Sequence, residues 1–169
     1  APQKAAQIGQ SIHRTTLKDT LLGQNLTITH TSLSTPTCIQ DGKLLVSGDI
    51  SFLNRRVCDF IKKETLSFIQ TQAPQKAAQI GQSIHRITLK DTISRWGSCS
   101  TSGTMSFSWR LAFAPYDVMR YVVTHELAHT KHMDHSPQFW KTVSELYGFG
   151  VERARRWLNV HGAELHKYF

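Results

Sequence analysis

The stretch VVTHELAHTKHMDHSPQFW, residues 122–140, sets four histidines, His125, His129, His132 and His135, around one carboxylate, Glu126. Imidazoles are ligands for divalent transition metals, and a carboxylate beside two of them is the group that takes a proton from a metal-activated water. Residues four apart on an α-helix stand one above the other, about 6 Å apart along the axis, so His125 and His129 can aim at a single ion. Glu126 is rotated about 100° from His125, too far round to be a third ligand but able to reach a water held by the same metal. This is the H-E-x-x-H arrangement, two ligands and a general base in one helical turn.

A catalytic zinc takes a third protein ligand and leaves its fourth position to water. If the helix continued, His132 would lie about 4.5 Å further up the axis than His129, a poor place from which to close a tetrahedron. His135 directly precedes Ser136-Pro137, an N-cap with proline at the first helical position, so the chain turns there and can come back toward the ion. The spacing favours His135 as the third ligand, with His132 behind the ligands or on the surface. The interval from His129 to His135 equals that of the metzincin pattern, but His132 stands where that pattern has its turn glycine and no Met-turn follows.

A helix must carry the first pair of ligands, and Val118, Tyr121, Val122, His125 and His129 fall close to one face after Pro115. A second helix is predicted from Ser136 to Gly148, and a last helical segment, with Ala154, Trp157, Leu158 and Leu165, is interrupted at Gly162. Upstream, LTITH alternates as a strand and CIQDGKLLVSG puts Asp41-Gly42 between two short apolar runs, a hairpin signal. Val57, Phe60, Ile61 and Phe68 recur at helical spacing, and Pro74 should end that helix or open a second one closed by Gly81. HRITL reads as a strand through Ile87 and Leu89. SRWGSCSTSGTMSFSWRLAF reads as a hairpin, with Met105, Phe107 and Trp109 on one side. The expected fold class is α+β, with a small, mostly antiparallel sheet packed on the H-E-x-x-H helix and further helices.

One global feature stands apart. Residues 1–20, APQKAAQIGQSIHRTTLKDT, return at 73–92 with one change, Thr15 for Ile87. Two copies in different surroundings do not make a solenoid. The second copy reads as structural and the first as a looser duplicate, so residues 21–169 are expected to form a single domain.

At 169 residues, with 40% hydrophobic and 19% charged residues, the chain has a globular composition. Cys38, Cys58 and Cys99 lie far apart without a CxxC pair, which fits a reducing compartment. No apolar run approaches the ~18 residues that span a bilayer, and the beginning lacks the apolar core of a secretory signal, so a cytoplasmic location and no membrane partner are expected. A net charge of +8 suits weak nucleic-acid association. The basic residues are nevertheless dispersed over segments that read as solvated helix faces.

SRWGSC, MSFSWRLAFAP, VVTHELAHTKHMDHSPQFW and HGAELHKYF together resemble the YgjP-like metallopeptidase family, zincin-fold proteins similar to the SprT and WLM peptidases, over roughly residues 21–169. The resemblance implies a zincin-like domain with one Zn2+ per chain, His125, His129 and His135 as metal ligands and Glu126 as the catalytic glutamate. The expected reaction is hydrolysis of a peptide bond in a protein or peptide substrate, with Glu126 taking a proton from the metal-activated water and passing it to the leaving amine. In zincin folds a strand borders the cleft, and the strand around TMSFSWRL is expected to be that one, pairing as an edge with extended substrate. Phe107 and Trp109 would then meet substrate, or else belong to the core. Tyr116, Tyr168, His132 and His161 are all open candidates for an oxyanion helper. A different class of function, a basic nucleic-acid-associated module with a structural or vestigial zinc, is the alternative. Glu126 argues against it, because a structural site has no use for a base.

Overall fold

The computed structural model describes Leu21, residues 24–32 and residues 34–168. The first copy of the duplicated segment lies outside the described residues. The chain runs β1 (Thr27–Thr31), β2 (Cys38–Gln40), β3 (Lys43–Ser47), α1 (Leu53–Gln79), β4 (Arg86–Lys90), β5 (Gly97–Cys99), β6 (Thr104–Ser108), α2 (Tyr116–Ala128), α3 (Pro137–Tyr147) and α4 (Val151–His161). Short 3-10 turns precede α1 and α2 and follow α4.

The expected α+β class is what the structure shows. The strands form two three-stranded sheets, ordered β1-β3-β2 and β4-β6-β5. Each is mixed, where a mostly antiparallel sheet was expected: β1 runs parallel to β3 and β4 parallel to β6, while β2 and β5 are the antiparallel partners. The reason lies in the connections, since a tight hairpin makes neighbours antiparallel and leaves the preceding strand to join the far side of the hairpin in parallel. The hairpin between β2 and β3 turns at Asp41 and Gly42, with φ of 49° and 69°. Two successive positive φ values match the twist of the flanking strands, as Asp-Gly predicted.

Helix α1 buries every fourth residue, Leu53, Val57, Ile61, Thr65, Ile69, Ala73 and Ala77, in one unbroken stripe. The expected break at Pro74 does not occur, and a single helix continues to Gln79. Pro74 and Gln70 both lie on the exposed side, so the Gln70 carbonyl that loses its donor faces solvent, while Ala73 and Ala77 keep the helix seated on the core. The second copy of the repeat thus supplies the end of α1, the turn at Gly81 and strand β4. Ile61 is fully buried in the middle of the stripe. Ile61→Ala is expected to lower the free energy of unfolding by about 2–5 kcal/mol, read from the urea midpoint.

Trp109–Phe113 between β6 and α2 is buried throughout. Arg110 within it donates to the Asp91 carboxylate at 3.0 Å and to the Tyr168 carbonyl, and its guanidinium lies 4.8 Å over the Trp109 ring. The Arg110 hydrogen bond holds the Asp91 carboxyl below its ordinary range. Stacking of Tyr168 on Phe113 and of His166 on Trp96 completes a clasp on the carboxy-terminal turn. Gly162 lies close under this clasp, where a Cβ would stand 3.2 Å from the Trp96 indole and press on it. Among the described residues no helix is long and apolar enough to cross a membrane.

Candidate metal centre

The last turn of α2 and the bend after it carry the three histidines that could hold a metal ion. His129 caps the helix with αR backbone angles, and the next amides, of Thr130, Lys131 and His132, turn back onto the carbonyls of Leu127 and Ala128. The chain then reverses at Asp134, whose carboxylate accepts from the Ser136 amide at 3.3 Å, and α3 starts with the Ser136 hydroxyl accepting from the Phe139 amide. His135 sits in this bend.

The bend brings the His135 ring back over the helix. Its Nε2 lies 3.2 Å from Nε2 of His125, and one ring nitrogen from each of His125, His129 and His135 falls within 4.8 Å of the others. Two nitrogens bound tetrahedrally to zinc at ~2.0–2.1 Å would stand about 3.3 Å apart, so the His125–His135 separation suits a shared ion. Nδ1 of His129 is 3.0 Å from the His132 carbonyl. Donating its proton there leaves Nε2 with the lone pair and holds the ring in place. His132 therefore contributes its backbone, and its imidazole stays out of the cluster.

Burial first, and then the charges of His129, His135 and Arg155, push the His125 pKa down to about 4. Burial also lowers that of His129. Both rings are neutral near pH 7, the state in which imidazole ligates. Phe139, fully buried on the first turn of α3, packs against all three rings at centroid distances of 4.9, 4.5 and 4.8 Å. Trp140 flanks His125 and His135. The floor under the cluster is thus aromatic, and the residue that spans it, Phe139, was visible beforehand only as an apolar position after the Ser136 cap.

Glu126 is buried at 6% exposure, and burial lifts its pKa to about 7 against the opposing pull of Arg95. It faces β5, where a Cβ on Gly97 would come within 2.6 Å of its Cγ and Oε1. Cys99, two residues on, has its thiol pushed up to about 11 by burial and by the Glu126 charge. That shift disfavours the thiolate a nucleophile needs, and Cys99 is not among the three side chains whose ligating atoms converge. Beside Glu126 and His125 opens a cavity of about 230 Å3 whose remaining wall includes Trp96, Tyr121, Val122 and Leu158.

The sheet order corrects one sequence expectation, and burial bears on one that was left open. Strand β6 is the centre of its sheet, so the outer strand beside α2 is β5. Phe107 and Trp109 are 1% and 3% exposed and belong to the core, the second of the two readings left open for them. A residue alternating onto the inner side of a central strand is buried by both neighbours, and a one-dimensional pattern cannot tell that side from a cleft. Of the open oxyanion candidates, Tyr116 packs on Phe68, Tyr168 on Phe113 and His161 on Trp157. Tyr121, one turn before His125 with their rings 5.9 Å apart, is the tyrosine that reaches the cavity. Its i−4 position relative to His125 was the available signal.

The YgjP-like family, described as "YgjP-like, metallopeptidase domain", matches residues 9–161, a span that begins inside the first copy of the repeat. No curated protein matches the chain. Among solved structures, the metallopeptidase zymogen of Pyrococcus abyssi abylysin aligns with 22% identity and a TM-score of 0.48, over 58% of this chain and 95% of that one. The metallopeptidase zymogen of Methanocaldococcus jannaschii jannalysin aligns with 17% identity and a TM-score of 0.41, over 63% and 94% of the two chains.

Proposed function

From the premise that this chain belongs to the YgjP-like metallopeptidase family, we propose that it is a zinc-dependent peptidase in which His125, His129 and His135 hold one Zn2+ and Glu126 is the general base. The observation that carries this reading is the convergence of three imidazole nitrogens within 4.8 Å, next to a buried carboxylate on the same helix. Among the described residues the cluster has three ligating side chains, whereas a structural zinc is closed by four, usually with cysteine. The donor set fits zinc: neutral nitrogen ligands, one of them oriented by a carbonyl behind it.

When bound, the metal supplies Lewis acidity, lowering the pKa of a coordinated water and polarising a carbonyl. The chain's own residues do the rest. Glu126 takes the proton of the attacking water on its carboxylate and delivers it to the leaving amine. Gly97 clears the space in which that carboxylate sits. The outer edge of β5 supports an extended backbone, because Trp96 and Ser100 spend their hydrogen bonds on β6 and leave the amides and carbonyls of Gly97 and Cys99 directed away from it. Tyr121, Val122 and Leu158 offer an apolar wall to a substrate side chain.

Chelation followed by titration with single metals tests the zinc assignment. Hydrolysis of an unfolded protein should vanish on chelation and return with about one equivalent of Zn2+, and activity that survives complete removal of metal would refute it. A second test isolates the packing at β5. Gly97→Ala forces the Glu126 side chain to move, and a displacement near 1 Å should cost roughly 100-fold in kcat/KM. Zinc content should stay at the wild-type level, since no ligand is touched.

A further inference from the structure

The sheet β4-β6-β5 has a second face that the site above does not use. Thr88 is paired with Ser106 and Ser106 with Ser98, which sets the three side by side on the face opposite to the one where Gly97 meets Glu126. Lys90 follows Thr88 on the same face. A cavity of about 320 Å3 opens there, lined by Lys90, Thr92, Ser94, Arg95, Ser98 and Ser106. It gathers two cations and four hydroxyls. Among the described residues neither Lys90 nor Arg95 takes part in a salt bridge, and the adjacent acid, Asp91, is held by Arg110.

We propose that this cavity binds a carboxylate of the substrate, so that the protein acts on acidic peptides. The inference rests on the peptidase reading. Gly97 and Arg95 line both this cavity and the one beside Glu126, so the two open on either side of the β5 edge. A peptide extended along that edge alternates its side chains between the two faces. A residue opposite Gly97 points toward Glu126, and its neighbour points toward Lys90, with Arg95 at the rim that the two cavities share. Two cations with the hydroxyls of Ser94 and Ser98 beside them match one carboxylate, while the Thr92 hydroxyl donates to the Arg95 carbonyl and that of Ser106 pairs with Thr88; a nucleic-acid backbone is held by a row of cations that this cavity lacks. The carboxylate has two sources, an Asp or Glu side chain or the peptide's own carboxy terminus.

The experiment uses fluorogenic peptides that differ only by Glu against Gln at each position flanking the scissile bond, each made with a free and an amidated carboxy terminus. Wild type is expected to favour one acidic position, or the free terminus, by about tenfold in kcat/KM, mostly through KM, and the preference should shrink with salt. Lys90→Glu should abolish or invert that preference while zinc content and urea midpoint confirm that the variant is folded. Equal rates on acid and amide peptides, or a preference untouched by Lys90→Glu, would overturn the proposal. So would duplex DNA that binds more tightly than the acidic peptides and is released by the same substitution. Fluorescence anisotropy of the same peptides on Glu126→Gln protein separates the two readings. Acid-selective binding without any hydrolysis by wild type keeps the anion site and discards the peptidase; hydrolysis without acid selectivity does the reverse.

Discussion

Glu126→Gln should lower peptide hydrolysis by roughly 10²–10⁴-fold with zinc retained in full. The amide has the size and shape of the carboxylate, so it can occupy the space that Gly97 leaves and keep the last turn of α2 as it is. It lacks the basic oxygen that accepts the proton of the attacking water. Because burial opposes ionisation of Glu126, a neutral amide relieves a desolvation cost, and the variant should unfold at no lower urea concentration than wild type. Single-turnover hydrolysis, metal analysis and a urea melt on one preparation give the three numbers. Wild-type rates in the substituted protein would remove Glu126 from the chemistry.

The second large effect is expected from the ligands. His125→Ala should abolish stoichiometric zinc, whereas His132→Ala should keep it, because His132 acts through its carbonyl on His129 Nδ1. A ligand that binds only the folded state stabilises it by RT ln(1 + [L]/Kd), about 2.7 kcal/mol at a hundredfold excess over Kd. Added zinc should therefore raise the melting temperature of apo wild type and of His132→Ala and leave that of His125→Ala where it was. Loss of the imidazole also opens space beside Phe139, whose ring it meets at 4.9 Å, so some destabilisation of the metal-free protein is expected as well. A zinc-dependent shift in His125→Ala equal to that of wild type would place the metal elsewhere.

Not every element was equally legible. The hairpin at Asp41-Gly42, the Ser136 cap and the end of α4 before Gly162 depend on bonds within a few residues, and each occurs where its residues predict it. Pro74 misled because its cost inside a helix is local, while the stripe from Leu53 to Ala77 that overrides it is packed against other elements. Phe107 and Trp109 stayed ambiguous between cleft and core because alternation reports a side of a strand and is silent about what covers it.

By itself the sequence determined the chemistry available to this protein. HELAH places two imidazoles and a carboxylate by helical pitch alone, and the DHSP bend lets His135 return, since a cap and a proline leave the chain few other courses. Only the tertiary structure decided what surrounds those groups: Phe139 beneath the three rings, Gly97 against Glu126, β5 as the open edge, and Lys90 and Arg95 across the sheet. Those neighbours come from segments up to several dozen residues apart in sequence. Their meeting is set by how sheet and helices pack against one another, a balance summed over the whole core that no short stretch of residues contains.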